Sequence, residues 1–383
     1  MENHDSHSTE KDGFKLLEKP KKKISIKSVI FVIVAVIVCL AVVFIISLPV
    51  DVSEWYSVKT ASIKQGNLPC DISEHGCAQG VNICSDFYVV DTDSHIVSIN
   101  QKGAIVSSIA HGYGDCIIKN SESRFIAYNL KSSGYQIHNA VGLLYETNIE
   151  NNIVTADIAD DGTYAIADST NTVNVYNKNF NRVYSFQSAS QSIIDVDISG
   201  KNGRLVIAAV SAVNGEFVTT IQAYTLSSEE AVFKVDVNGL ALDIEQIGNK
   251  ILVIGDEKCT LLSSSGEVSK TGFDYNGRLL SSVKIGDDKV LLCLSESENS
   301  EVHTIYLLSA NLSVKSEIQC DKTAISYSFD DSRIYVMSDK LYAYSYNGEI
   351  KASYSLPSGA SDFAVNNGEL VAVGYSVLDK LKN

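Results

Sequence analysis

Six carboxylates carry whatever chemistry this chain could perform: Asp157, Asp195, Asp197, Asp243, Glu245 and Asp362. Each falls in or beside a short run of alternating apolar residues, as in Ala156-Asp157-Ile158 and Ile194-Asp195-Val196-Asp197-Ile198. Alternation with a period of two reads as a strand, with its Asp side chains on one face. If such strands surround an axis, the carboxylates line a common channel. Two of them held about 5–9 Å apart across a sugar would suit the acid and base of a glycosidase. Several together with carbonyl oxygens would suit a hard cation such as Ca²⁺. The simpler reading is structural: inner-strand Asp residues hydrogen-bond turns or water between neighbouring strands.

Other constellations are thin. His75, His95, His111, His138 and His303 are scattered, with no His-x-His or His-x-x-x-His pair, and His111 reads as structural in a polar Gly112-Tyr113-Gly114-Asp115 connection. No Gly-x-Ser-x-Gly elbow marks a hydrolase nucleophile, and no sialidase-type Ser-x-Asp-x-Gly-x-x-Trp turn occurs. The one tryptophan, Trp55, leaves ligand stacking to tyrosines. Asp91-Thr92-Asp93 and Asp157-Ile158-Ala159-Asp160-Asp161-Gly162 are too short or loose for a twelve-residue calcium loop. No catalytic, cofactor or metal-ligating residue is assigned, and Ca²⁺ is the one cation left open. Cys39 lies in an apolar run, while Cys70, Cys77, Cys84, Cys116, Cys259, Cys293 and Cys320 follow it. Seven is odd, so at least one of these stays unpaired within the chain. The spacing suits a Cys70–Cys77 disulfide.

The elements that position these residues begin with that apolar run, Ser28–Val50, 23 residues without a charge. At 1.5 Å per residue it spans a hydrocarbon core of roughly 30 Å. Lys19, Lys21, Lys22, Lys23 and Lys27 flank its inner end, and no acidic residue intervenes between Glu18 and Asp51. By the positive-inside rule residues 1–27 form a cytoplasmic tail and residues 51–383 lie outside the membrane. A cleaved signal peptide fits less well: the run is too long, and Ile46-Ser47-Leu48-Pro49-Val50 is a poor cleavage site. The seven basic and five acidic residues of 1–27 leave 24 basic against 41 acidic beyond them, a net charge of −17. Such a surface repels nucleic acid.

Beyond residue 80 the chain alternates short β segments with Gly, Asn, Asp and Ser turns. The clearest unit runs Ile153–Ile158, Tyr164–Asp168, Thr172–Tyr176 and Arg182–Phe186, four strands joined by hairpins. Its third-to-fourth turn recurs at Gly103, near Val141, at Phe180, near Glu230, at Gly266, near Leu312 and at Gly348. The spacings of 38, 39, 50, 36, 46 and 36 residues are those of β-propeller blades with insertions. An eighth unit opens at Ser361 and lacks its outer strand, which Trp55–Ile63 is expected to supply, closing the ring. The expected fold is an all-β, eight-bladed propeller at 51–383, with seven blades as the alternative, after a transmembrane helix at 28–50. Candidate loop insertions are Ser132–Gly134 with Tyr135, Ser211–Glu216 and the acidic Ser295–Glu301.

Residues 145–215 resemble an uncharacterised family of membrane-anchored propeller domains from clostridia and related Firmicutes. The resemblance rests on Ile153-Val154-Thr155-Ala156, Asp161-Gly162-Thr163-Tyr164-Ala165, Val173-Asn174-Val175-Tyr176-Asn177, Ile194-Asp195-Val196-Asp197-Ile198-Ser199 and Gly203-Arg204-Leu205-Val206-Ile207. It departs at Leu68-Pro69-Cys70-Asp71-Ile72, where that family carries an aromatic-Pro-Val opening, and in the added cysteines. The resemblance implies fold and topology and brings no catalytic residues. The function expected is a noncatalytic scaffold in the cell envelope, single-pass in a bacterial plasma membrane, binding a protein partner. The alternatives are an envelope hydrolase or lyase using the axis-facing carboxylates, and a ligand or metal sensor.

Overall fold

The computed structural model describes residues 26–47, 51–200, 203–286, 288–320 and 324–382. The chain divides into two compact units, Met1–Leu48 and Pro49–Asn383. In the first, α1 (Ile26–Ser47) covers 22 residues, all apolar but for Lys27 and two serines. Side chains of this helix are described at 29–40, 42 and 43. Among the described residues no helix is long and apolar enough to cross a membrane. Lys19, Lys21, Lys22 and Lys23 lie outside the described residues.

The second unit consists of eight four-stranded antiparallel sheets. Seven are built from consecutive strands: blade 1 (78–110), blade 2 (116–148), blade 3 (153–187), blade 4 (192–238), blade 5 (241–274), blade 6 (279–320) and blade 7 (326–354). Blade 8 combines Asp362–Asn366, Glu369–Gly374 and Val377–Lys380 with Cys70–Asp71 from before blade 1. The first strands of neighbouring blades touch one another, so they ring the axis. This is the eight-bladed propeller, and the seven-bladed alternative is excluded.

Each blade is thin and cannot bury both faces alone. Tyr164 and Ile166 therefore face a cluster shared with blade 2, whereas Ala165 and Ala167 face one shared with blade 4. Eight such clusters, one per blade junction, make up the core. The third-to-fourth turns fall at the seven expected places. Five share one hairpin, with a positive φ at Gly103, Phe180, Gly266, Leu312 and Gly348. In four of these turns an Asn or Ser accepts backbone N–H groups two and four residues on, as Asn177 Oδ1 does from Asn179 and Asn181. A three-residue loop ending in the left-handed region gives the one-residue register shift that follows it.

Ring closure differs from expectation in its segment. Residues 55–63 do not supply the outer strand: Val52–Ser62 is a helix, α2. Closure falls to Cys70–Asp71, which pairs antiparallel with Leu378 and Val377. The segment carries both periods, and tertiary contact selects the helical one. Glu54, Val58 and Ala61 share a helix face, with Val58 and Ala61 packed on Cys84, Phe87 and Val89. Cys70 and Cys77 are both free thiols. The Cys70–Cys77 bond is absent because Cys70 is buried in the core beside Leu378, while Cys77 is exposed ahead of blade 1.

The propeller has two unlike ends. One, the turn face, carries the first-to-second and third-to-fourth turns. The other, the crossover face, carries the second-to-third loops and the connections between blades. On the turn face α2 lies across blades 1 to 3. Glu54 takes the buried Arg124 guanidinium in a two-pronged ion pair, Nε to Oε1 3.0 Å and Nη2 to Oε2 2.7 Å. Asn100 donates to the carbonyls of Ala61 and Lys64, each at 2.9 Å.

Candidate functional site

The first strands of blades 2 to 5 bring five of the six candidate carboxylates to the axis, together with Lys119. Lys119 comes from blade 2, Asp157 from blade 3, Asp195 and Asp197 from blade 4, and Asp243 and Glu245 from blade 5. Period-two alternation along each inner strand aims them inward. Lys119 Nζ stands 4.0 Å from Asp243 Oδ1. Burial would lower the Lys119 ammonium, but Asp243, Asp195 and Asp157 together hold it above its ordinary value. Burial pushes Asp157, Asp195 and Glu245 upward, against the pull of Lys119. Asp197 rises to about 7 through burial and the neighbouring Asp157 charge. Asp362 lies apart, on blade 8.

Most of these carboxylates already have a structural task. Asp157 accepts the Ile198 N–H at 2.8 Å, and Asp195 accepts that of Ile244 at 2.9 Å. Asp197 takes both the backbone N–H and the side-chain amide of Gln246, the latter at 2.7 Å. Asp362 takes the Val81 N–H at 3.0 Å. In every case the Asp of one inner strand caps a backbone donor on the inner strand of the next blade. Thr155 and Ser326 complete two of the relays, donating to Asp195 and Asp362 from the blade before. A buried N–H without such an acceptor would cost about 1–3 kcal/mol. The structural reading of the inner Asp residues is the one this geometry supports, and Asp243 and Glu245 beside Lys119 remain outside it. Lys119 went unassigned at the level of sequence, because Ile117-Ile118-Lys119-Asn120 lacks the apolar-polar alternation that marks the inner Asp residues.

A second gathering lies on the crossover face between blades 1 and 2. Asp91 is the last residue but one of the second strand of blade 1, His111 sits in the connection, and Cys116 opens blade 2. Their ligating atoms lie within 4.8 Å of one another, the one such group of three among the described residues. His111 Nε2 is 3.6 Å from Asp91 Oδ1 and 3.1 Å from the Thr92 carbonyl oxygen. Its Nδ1 accepts the Tyr113 N–H at 3.2 Å. Asp91 Oδ1 is buried without a hydrogen-bond partner. Burial pushes Asp91 up to about 6, against a hydrogen bond from Cys116. Burial and then the Asp91 charge hold the Cys116 thiol well above its usual range. Thiol, imidazole and carboxylate suit a softer ion than Ca²⁺. No pairing of His or Cys in the sequence signals this group, which spans two blades.

The remaining histidines have local partners. His75 and His95 bond Ser108 and Ser94 through Nδ1. His138 stacks on Phe125, and burial pushes it down to about 3.

The three candidate loop insertions all fall on the crossover face, as second-to-third loops of blades 2, 4 and 6. In blade 4 the two strands run ten residues each, to a tip with positive φ at Asn214 and Gly215. Beside this hairpin a groove of about 390 Å³ is lined by Glu216, Phe217, Leu240, Asp256, Glu257 and Lys258 among others.

Comparison with solved structures places the fold. A computationally designed protein, Ika8, superposes with a TM-score of 0.63 at 7% identity, covering 82% of this chain and 99% of its own. The C-terminal WD40 domain of Sif2 gives 0.57 at 14% identity, covering 84% of this chain and 99% of its own. BamB from Moraxella catarrhalis gives 0.52 at 11%, with coverage of 84% and 99%. At these identities the likeness is one of fold alone. No curated protein matches the sequence. Residues 77–381, from the start of blade 1 to the last strand of blade 8, match the model of a family of unknown function, DUF5711, and the chain belongs to that family.

Proposed function

We propose that the chain is a noncatalytic, membrane-anchored scaffold of the bacterial cell envelope that binds a partner protein on its crossover face. The observation that carries this reading is where the exposed apolar residues lie. Ile105, Leu143, Val183, Val232, Val268, Val314 and Ile350 each lie first or second in a fourth strand, a repeated feature of the rim. Of those without such a repeat, Val213, Phe217, Leu242, Leu279, Val302, Ile325 and Tyr375 fall on the crossover face, and Val52, Tyr56 and Ile63 lie on or beside α2. The larger gathering, on the crossover face, supports that face as the interaction surface. Glu216, Asp256, Glu257, Glu296, Glu298 and Glu301 surround them, all exposed, so the partner surface is basic with apolar anchors. The turn face is occupied instead by α2, and Asp51, where the chain enters this unit, pairs with Lys178 there at 3.6 Å.

The uncharged run 28–50 and its lysine flank support a single-pass anchor with the amino terminus inside. A hydrolase acting through axis carboxylates is the weaker reading, because Asp157, Asp195, Asp197 and Asp362 each hold a backbone donor of the next blade.

The test is in-cell crosslinking of the full-length chain, with capture and mass spectrometry. An anchor-only form is the background, and two variants compare the faces. One partner above background, lost in Phe217→Asp and kept in the rim variant Val183→Asp, supports the reading. No enrichment, or equal loss in both variants, overturns it.

A further inference from the structure

We propose that Asp91, His111 and Cys116 form a binding site for a zinc-class metal ion that ties blade 1 to blade 2 on the crossover face. Three observations converge. The donors are one carboxylate oxygen, one imidazole nitrogen and one sulfur, a set that zinc takes at about 2.0–2.3 Å per ligand. Two ligands of a tetrahedral ion stand about 3.4 Å apart on those bond lengths, and His111 Nε2 and Asp91 Oδ1 are 3.6 Å apart. Asp91 Oδ1 faces the group as a buried oxygen that accepts no hydrogen bond, in a residue only 8% exposed. Buried carboxylate oxygens ordinarily have a donor, and an ion supplies what the protein here does not. The His111 side chain is fully buried, so the site is walled rather than scattered over an open surface.

Loading follows from the protons. Cys116 gives its thiol proton to solvent and binds as thiolate. The His111 proton moves from Nε2, where it now faces the Thr92 carbonyl at 3.1 Å, to Nδ1. The Tyr113 N–H then has to leave Nδ1. The connection is built for that shift: Tyr113 is flanked by Gly112 and Gly114, each with open space where a side chain would stand. The fourth position falls to water or to the Thr92 carbonyl. Neighbouring His75 and His95 have their Nδ1 atoms on Ser108 and Ser94, which leaves them outside the set. The outcome is structural: an ion joins the second strand of one blade, the first strand of the next and the loop between them.

The experiment is a Co²⁺ titration of the full-length protein in detergent, stripped with chelator and kept anaerobic. His4→Ala and His7→Ala remove the two tail histidines as competing ligands. The expected result is one ion per chain, with a thiolate-to-cobalt charge-transfer band and the intense visible bands of a four-coordinate site, displaced by Zn²⁺. Cys116→Ser abolishes the near-ultraviolet band, and His111→Gln and Asp91→Asn weaken binding about tenfold or more. Cys77→Ser, at an exposed thiol, leaves both unchanged. Since two of the three positions are buried, a second readout needs no variant: Zn²⁺ protects Cys116, but not Cys77, from alkylation, as read by peptide mass. Absence of the band, its survival in Cys116→Ser, or equal alkylation of Cys116 with and without Zn²⁺ overturns the proposal. None of these outcomes bears on partner capture, so this site and the scaffold reading stand or fall separately.

Discussion

Glu54→Ala tests whether α2 is part of the propeller or merely lies on it. Arg124 and Glu54 are 4% and 8% exposed at their side chains, so this is a buried pair. Deleting the acid leaves the guanidinium with the Lys178 carbonyl at 2.8 Å and the Phe180 ring at 5.8 Å, and no counter-charge. Breaking a buried pair in this way costs about 3–5 kcal/mol, against about 0–1 kcal/mol for an exposed one. The loss is capped by what docking of α2 is worth, since the helix can lift and let water reach Arg124. Val58 and Ala61 packing and the two Asn100 bonds set that cap. Arg124→Met with Glu54→Ala removes both charges, and the double variant is expected to recover most of the stability, a coupling of about 2–3 kcal/mol. The assay is chemical unfolding of the full-length protein in detergent, with amide hydrogen exchange read over residues 52–63. A loss under about 1 kcal/mol in Glu54→Ala with unchanged exchange would refute the reasoning, because the pair would then behave as a surface contact.

Two further outcomes follow from the channel and the closing loop. Asp197 stands near 7 in the fold and near 3.8 when unfolded. Its folded state therefore holds the proton more tightly, and its contribution is best at low pH and falls as pH rises between these values. The difference corresponds to at most about 4 kcal/mol, so Asp197→Asn, which keeps an acceptor for the Gln246 N–H, should raise the melting temperature at pH 7.5 and leave it unchanged near pH 4. Equal shifts at both pH values would sink the argument. Gly66→Ala places a Cβ 2.3 Å from the Ala104 backbone nitrogen, which cannot move aside as a side chain would. It should cost roughly 2 kcal/mol in thermal unfolding, and a neutral result would show that the 64–68 segment does not rest on the Gly103 turn.

The blade rhythm was open to sequence reading because each hairpin carries its own stereochemical mark. Gly103, Gly266 and Gly348 occupy left-handed positions that glycine enters without cost. Phe180 and Leu312 take the same conformation with side chains, Phe180 stacked on Tyr145 and Leu312 buried, so spacing alone revealed them. The inner Asp residues were legible for a similar reason, since alternation assigns a face without knowing the partner. Trp55–Ile63 misled because nine residues hold too few periods to separate strand from helix. The deciding partner, Arg124, is 70 positions away from Glu54. The Asp91, His111 and Cys116 group was invisible for the same reason: only the turn from blade 1 into blade 2 brings its members together.

Closure of the ring explains why so acidic an axis is tolerated. Two residues, Cys70 and Asp71, form the closing strand, with one further bond from Ile72 N–H to the Ser376 carbonyl at 2.8 Å. At about 1 kcal/mol net per bond that is a weak seam for a ring of this size. The seam is therefore held at its inner radius too. Asp362 receives Ser326 Oγ from blade 7 at 2.7 Å and the Val81 N–H of blade 1, and Asn366 reaches the Asp86 carbonyl at 3.1 Å. Thr155, Asp195 and Ile244 repeat that relay across blades 3, 4 and 5. A carboxylate suits the task because it accepts from both sides at once, which a hydroxyl or amide does less well. Charge accumulates at the axis because the staple is used on adjacent blades, and Lys119 offsets part of it. The acidic channel follows from how the blades are joined, which directs the search for ligands away from the axis and toward the crossover face.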